Sequence, residues 1–207
     1  MLIVIQSYCK GLIAQSNTKF NFTIEYSPNY SRLTNEVVNE SFKLSHNVLI
    51  RLSYNLNSNI KPTFGLGFLN TGELESAQIG GQLGIEAVKS IQNYNYLYMP
   101  IGAKIDVGYF YLLPEIGVGF NITNKTTQII EYSDGSTQKE TRDAGLNSGE
   151  FNKLSIPFSI SIGKDFKLSN ISLSTGLKVY YGINQVVKDV PRNNHYFGGG
   201  LILAINL

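Results

Sequence analysis

The sequence contains no tryptophan, one cysteine, two histidines and few charged residues. Charged residues make up 15% of the chain, against roughly 25% in soluble domains, so a densely charged surface is not expected. The net charge is only +2 and the basic residues are dispersed, which argues against nucleic acid as a partner. Two histidines without clustered carboxylates do not indicate a metal site, and no cofactor is expected.

The single cysteine, Cys9, excludes an internal disulfide. It lies in the stretch MLIVIQSYCKGLIAQS, whose apolar core and small-residue exit are typical of a secretory signal peptide cleaved between Ala14 and Gln15. A folded N-terminal strand or helix is the alternative. The rest of the chain has no linker rich in Pro, Gly or Ser. We therefore predict a signal peptide over residues 1–14 and one domain over residues 15–207.

The rest of the chain has no apolar run of about 18 residues, which argues against a transmembrane helix. Instead, apolar and polar residues alternate along segments of about ten residues, the length that a tilted strand needs to cross a bilayer. Residues 97–120 show this pattern twice, with a change of parity between the two segments. Roughly eight such segments predict an all-β fold: a closed, antiparallel, up-and-down transmembrane β-barrel.

The polar faces of these strands carry acidic and basic residues in equal number: Glu25, Arg51, Lys104, Asp106, Glu115 and Lys178. A barrel of about eight strands has an interior just wide enough for side chains, and a Lys or Arg facing lipid costs about 2–4 kcal/mol near the midplane. We therefore expect these residues to form a structural charge network in a filled, non-conducting lumen. A two-residue turn at Tyr109 and Phe110 would place Lys104 directly opposite Glu115.

The alternation alone leaves open which face is outside, so a soluble, secreted, lipocalin-like carrier is the main alternative. The polar faces consist mostly of Gly, Ser, Thr, Asn and Tyr, which suit a tight interior better than a wet exterior. Short and long connections also alternate, as in outer-membrane barrels with periplasmic turns and extracellular loops. We expect an integral outer-membrane protein in contact with membrane lipid.

Several local features complete this expectation. Tyrosines near predicted strand ends suggest interfacial girdles: Tyr54, Tyr94, Tyr109, Tyr111, Tyr180 and Tyr196. Prolines inside predicted strands require bulges or skipped hydrogen bonds: Pro62, Pro100, Pro114 and Pro157. The connection over residues 70–93 is compatible with a short helix at residues 85–91. Asp134-Gly135 predicts a hairpin that projects above the barrel and has a polar second arm.

Several stretches resemble the PorT-like outer-membrane β-barrel family typical of Bacteroidetes. They are YNYLYMPIGAKI, the following YLLPEIGVGF, the earlier FGLGFLNTG and an alternating strand at the C-terminus. The final residue, Leu207, departs from the aromatic residue that barrel-assembly signals often carry. The resemblance implies that prolines are tolerated in the strands. It also implies a role in assembling or supporting a secretion system, with an envelope or secretion-system protein as a partner for the long loops.

Candidate catalytic residues are few. His46 and His195 are expected at the outer rim, where a hydrolase or acyltransferase would need to combine a histidine with Ser45, Asp189 or Ser31. No spacing supports that combination specifically. We therefore predict a structural or partner-interaction role without catalytic activity.

Overall fold

A computed structural model describes residues 19–34, 40–80, 84–143, 152–168, 171–186 and 194–207. The predicted signal peptide, residues 1–14 with Cys9, lies outside the described residues, as does Asp189. Within the described part of the chain, no helix is long and apolar enough to cross a membrane.

The described residues form eleven β-strands: β1 (Phe20–Leu33), β2 (Glu40–Ser41), β3 (Lys43–Tyr54), β4 (Ile60–Gln78), β5 (Ile85–Val107), β6 (Phe110–Tyr132), β7 (Thr137–Asp143), β8 (Leu154–Ser155), β9 (Pro157–Leu168), β10 (Ile171–Gly182) and β11 (Tyr196–Asn206). Eight of them form a closed antiparallel ring in the order β1, β3, β4, β5, β6, β9, β10, β11, with β11 returning to β1. The short strands β2, β7 and β8 pair with β4 or β6. The predicted up-and-down barrel is confirmed.

A belt of apolar side chains points outward from the ring, and every ring strand contributes to it: Phe22, Ile24, Val48, Ile50, Phe64, Leu66, Ile101, Ile116, Val118, Phe158, Ile160, Leu177, Val179, Leu201 and Leu203. Ile101 is 56% exposed, whereas Arg51 is 5% exposed. A soluble barrel needs the reverse arrangement, because its apolar face must be withdrawn from water. The outer surface therefore fits a hydrocarbon environment.

The turn between β5 and β6 lies one residue earlier than the sequence suggests. Val107 pairs with Phe110, so the two turn residues are Gly108, with φ 66°, and Tyr109. Glycine adopts this left-handed conformation without the steric cost that a Cβ brings. The predicted pairing of Lys104 with Glu115 is wrong, because the ladder is shifted by two residues and Gly102 faces Glu115. A shift of two leaves the inward and outward faces unchanged.

Pro100 and Pro114 interrupt ladders without changing their register, whereas Pro62 pairs with Ala103 in an uninterrupted part of the β4–β5 ladder. The β4–β5 ladder omits Pro100 and resumes with the same offset, and the β5–β6 ladder omits Pro114 in the same way. Proline lacks an N–H, so a missing ladder bond is the direct consequence. The wall irregularity that does shift the register, at Asn95/Tyr96, contains no proline. At these two prolines the wall therefore has skipped bonds rather than bulges.

Tyrosine rings fill much of the lumen. The girdle prediction is wrong for four of its members, whose side chains are buried inside the barrel: Tyr94, Tyr111, Tyr180 and Tyr196. Rings lie over glycines of neighbouring strands, as Tyr196 does over Gly182, where an added Cβ would sit 2.6 Å from a ring carbon. The same relationship joins Tyr98 to Gly117, Tyr111 to Gly163 and Tyr180 to Gly198. Glycine provides the space that each inward ring needs.

Three neighbouring strands continue far beyond the ring. β5 and β6 have 23 residues each and β4 has 19, whereas β9 and β10 have 12. We call residues 72–78, 85–93 and 125–132 together with β7 the sheet extension. The helix predicted at residues 85–91 is wrong, because these residues pair with β4 and β6. The hairpin after β6 turns at Asp134 and Gly135, with Gly135 at φ 83°.

Candidate functional site: the charged lumen

Four of the six predicted lumen charges meet at the centre of the barrel. Arg51 donates through Nη1 to Glu25 and through Nη2 to Glu115 Oε1, at 2.8 Å in the second case. Lys178 Nζ donates to both carboxylates, at 3.3 Å each. No side chain of the four is more than 8% exposed. We call these residues the central quartet.

The central quartet braces strands that are far apart in sequence. Its members come from β1, β3, β6 and β10, each at an inward position of the alternation. Each carboxylate accepts from both cations, so the four formal charges cancel locally. A buried charge is tolerated only when it is paired and hydrogen-bonded, and removal of one partner leaves the others uncompensated. Every charged group of the central quartet is therefore paired within the quartet.

The remaining two predicted charges lie near one end of the lumen, at the connections 55–59 and 108–109, which we call the short-turn mouth. Asp106 accepts from Lys61 Nζ at 2.8 Å, and Lys104 Nζ donates to Asp165 at 2.5 Å. Lys61 and Lys104 are directly opposite each other in the β4–β5 ladder. Like charges in that relationship repel, and each lysine is neutralised by its own aspartate.

Sequence reasoning missed Lys61 and Asp165, although the signal was present. Each lies one alternation step beyond a position that points inward in the structure, Thr63 for Lys61 and Gly163 for Asp165. The predicted strands ended too early to include them. The six predicted residues, together with Lys61 and Asp165, therefore form two neutral groups of four charges rather than one group of six.

A cavity of about 250 Å³ separates the central quartet from the short-turn mouth. Its lining includes Arg51, Lys61, Lys104 and Asp165, together with Thr63. The Thr63 hydroxyl has no hydrogen-bond partner in the structure. A polar cavity of this size accommodates several water molecules, which would satisfy such a group. Beyond the quartet, a second cavity measures about 20 Å³. It borders a layer of buried rings that we call the tyrosine layer: Tyr94, Tyr96, Tyr98, Tyr180 and Tyr196.

At the opposite end, β4 leans across the lumen towards β1. Ser31 Oγ donates to the Gly72 carbonyl at 3.1 Å, although β3 lies between these two strands in the ring. Lys43 Nζ donates to Ser45 Oγ at 3.0 Å and to Asn70 Oδ1 at 2.8 Å, and Ser45 is 2.9 Å from Ser31. These buried contacts close the lumen above the tyrosine layer.

The two histidines lie on the outer side of the barrel. His46 Nδ1 is 2.7 Å from the Tyr26 hydroxyl, and the two rings stack. His195 stacks on Tyr181, and its Nδ1 is 2.9 Å from the Gly182 carbonyl oxygen. The alternation places Ser45 inside and His46 outside, so this pair does not form a catalytic dyad. Among the described residues, no group of three or more His, Cys, Asp or Glu side chains could hold a metal ion.

The turn of the sheet extension is held by Asp134, which accepts from the backbone N–H and the hydroxyl of Ser136, at 2.8 and 2.6 Å. The Ser136 hydroxyl, and then its N–H, lower the pKa of the Asp134 carboxyl. Nearby, Arg142 donates to Glu140 at 2.8 Å, and this bond lowers the pKa of Glu140. These exposed groups are therefore charged at neutral pH.

No family profile matches the chain, and no curated protein matches it. Solved structures resemble its fold. Ail, the attachment invasion locus protein of Yersinia pestis, solved with the heparin analogue sucrose octasulfate, has 9% identity and a TM-score of 0.47 over 92% of this chain and 100% of Ail. A major outer membrane protein from Thermus thermophilus has 11% identity and a TM-score of 0.44, covering 91% and 99% of the two chains.

The outer membrane protease OmpT of Escherichia coli has 7% identity and a TM-score of 0.40, covering 92% of this chain and 96% of OmpT. At these values the similarities carry no argument about activity, ligands or partners. The assignment as a closed transmembrane β-barrel rests on the strand ring and on the direction of its side chains.

Proposed function

We propose that this chain is an integral outer-membrane protein whose barrel anchors the sheet extension at the cell surface, without catalytic activity. The observation that carries the proposal is the apolar belt contributed by all eight ring strands, with the charged groups withdrawn into the lumen. A closed barrel leaves no strand edge of the wall unpaired, which makes it suitable for a lipid environment. Membrane lipid is the partner of the belt.

The lumen is proposed to be non-conducting. The central quartet, the tyrosine layer and the bridge from Ser31 to Gly72 lie one above another along the barrel. The buried tyrosine rings beyond the quartet, among them Tyr180 and Tyr196, support a closed path for ions. A plugged barrel of this kind acts as an anchor or scaffold rather than as a pore.

The partner-binding part is proposed to be the sheet extension. The sheet extension lies beyond the membrane-spanning ring, and all seven residues of β7 are exposed. The resemblance to PorT-like proteins supports an envelope or secretion-system protein as one class of partner. Exposed surface elements on a rigid scaffold are common recognition sites.

Fractionation of cells tests the membrane assignment. The protein should sediment with envelopes, resist extraction by salt or carbonate, and require detergent for release. Recovery in the soluble periplasmic fraction would contradict the assignment.

Planar-bilayer recordings of the purified protein test whether the lumen is closed. Steady single-channel conductance of the wild-type protein would contradict a closed lumen. The variant Arg51→Ala, which removes the central cation of the quartet, serves as the comparison. Lipid-hydrolysis and peptide-hydrolysis assays test the absence of catalysis.

A further inference from the structure

The strand β7 presents one edge that could receive another strand. It pairs with β6 along Thr137–Asp143, and its side chains are all exposed. Within the described part of the chain, no strand pairs with its other edge. An edge of this kind offers a row of backbone N–H and C=O groups to a strand of another chain.

The charges on β7 restrict which strand can pair there. Its sequence, TQKETRD, alternates cations and anions. Charged edge side chains prevent pairing with an arbitrary apolar strand. They permit one register with a second copy of the same strand. When two copies run antiparallel and are centred on Thr141, Glu140 of each copy lies opposite Arg142 of the other, and Lys139 lies opposite Asp143.

Neighbouring registers lack this complementarity. Centring the pair on Glu140 places Glu140 opposite itself. Moving the centre to the bond between Glu140 and Thr141 places Lys139 opposite Arg142. Like charges directly opposite each other are unfavourable in a sheet, whereas opposite charges stabilise it. A two-fold contact between equal edges is centred on a residue, and among the registers centred on a residue of β7 only the one centred on Thr141 is self-complementary.

We propose that β7 binds β7 of a second copy of this chain, antiparallel and centred on Thr141, and that the contact joins two facing membranes. The proposal rests on the proposed membrane anchoring. β7 of each copy runs back towards its own barrel, because it is antiparallel to the continuous strand β6. Antiparallel pairing of the two β7 strands therefore places the barrels at opposite ends of the joined sheet.

The Glu140 and Arg142 side chains are exposed at the proposed contact. Arg142 and Glu140 contact each other at 2.8 Å within one chain, and their side chains are 70% and 50% exposed. They lie on one face of β7, and Thr141 lies on the other face, 3.1 Å from Thr127 of β6. Association exchanges one pair within each of the two copies for two pairs between the copies, in a sheet that then continues across both copies.

Charge reversal in purified, full-length protein reconstituted into vesicles tests the contact. Two differently labelled vesicle populations carrying wild-type protein should co-aggregate. Glu140→Arg in both populations, or Arg142→Glu in both, should reduce co-aggregation by about tenfold or more, because like charges then face each other. Glu140→Arg in one population and Arg142→Glu in the other should restore it. A pair within one chain cannot produce that restoration.

Cysteine crosslinking tests the register in a background with Cys9→Ser. Thr141→Cys should form a disulfide with itself, because position 141 lies on the two-fold axis. Lys139→Cys should not, but should crosslink to Asp143→Cys on another vesicle. Wild-type vesicles that carry inserted protein, shown by flotation, yet never co-aggregate would overturn the proposal and leave the anchoring intact. Failure to insert would instead contradict the proposed function.

Discussion

Lys104 forms its ion pair with Asp165 of β9, with 2.5 Å between Nζ and Oδ2, and Glu115 belongs to a separate group of charges deeper in the lumen. The two groups differ in their access to water. The Lys104 and Asp165 side chains are 14% and 32% exposed, whereas Glu115 is 1% exposed. An ion pair should therefore contribute less to the free energy of unfolding at the short-turn mouth than in the central quartet.

Reversal of the mouth pair should have a small, recoverable effect. Lys104→Glu places a carboxylate beside Asp165, and we expect a loss of about 1 kcal/mol, because solvent screens partly exposed pairs. Adding Asp165→Lys should restore most of that loss. Adding Glu115→Lys should instead worsen it, since Glu115 serves Arg51 and Lys178. Urea unfolding of the reconstituted protein, followed by the shift between folded and unfolded bands, measures each free energy.

The faces of the strands could be predicted from the sequence, but their register could not. The alternation in residues 97–120 placed Ile101 outside and Glu115 inside, as observed. The pairing of residues depends on where the turn lies. A turn at residues 108–109 and a turn at residues 109–110 place the same side chains on each face of the strands, so hydrophobic alternation cannot distinguish them. Only the left-handed conformation of Gly108 decides in favour of the turn at Gly108 and Tyr109.

Breaking the central quartet should be costly. Lys178→Met leaves Glu25 and Glu115 buried with only Arg51 between them, and we expect a loss of about 3–5 kcal/mol, because an uncompensated buried charge remains. Adding Glu25→Gln removes the surplus negative charge and should recover a substantial part of the loss. Urea unfolding in vesicles measures both. Lys164→Met, an exposed position on β9, is the matched control and should change stability by less than about 0.5 kcal/mol.

Stability that is the same for Lys178→Met and for Lys164→Met would contradict a bracing role for the quartet. Destabilisation by Lys178→Met without recovery by Glu25→Gln would contradict charge balance as its cause and indicate packing of the lysine stem instead.

The lumen tyrosines show why part of the candidate site was hidden in the sequence. Tyr94, Tyr111, Tyr180 and Tyr196 lie on inward positions, but tyrosine is common both at membrane interfaces and in strands. Their location follows from glycines on neighbouring strands, a relationship that appears only once the register is known. Residues 85–91 are compatible with a helix in the sequence for a similar reason. Their strand conformation is determined by pairing with β4 and β6.

A methyl group under an inward ring should disturb the lumen. Gly182→Ala places a Cβ 2.6 Å from the Tyr196 ring, and we expect a loss of about 1–3 kcal/mol from overpacking. Gly199→Ala is the matched control, since its nearest atom is 3.1 Å away. A double-mutant cycle with Tyr196→Leu should be non-additive, because the smaller side chain relieves the clash. Additive losses would show that Gly182→Ala destabilises the barrel through the backbone and not through a clash with the Tyr196 ring.

The β5–β6 turn offers a test of backbone conformation alone. A Cβ at Gly108 would meet no atom within 4 Å, so substitution there changes only the cost of φ 66°. Gly108→Val should lose about 1–2 kcal/mol, since a β-branched residue is strained in the left-handed region, whereas Gly108→Asn should lose less. Urea unfolding in vesicles provides the comparison. Equal stability of the two variants would contradict a backbone cost from φ 66° at residue 108.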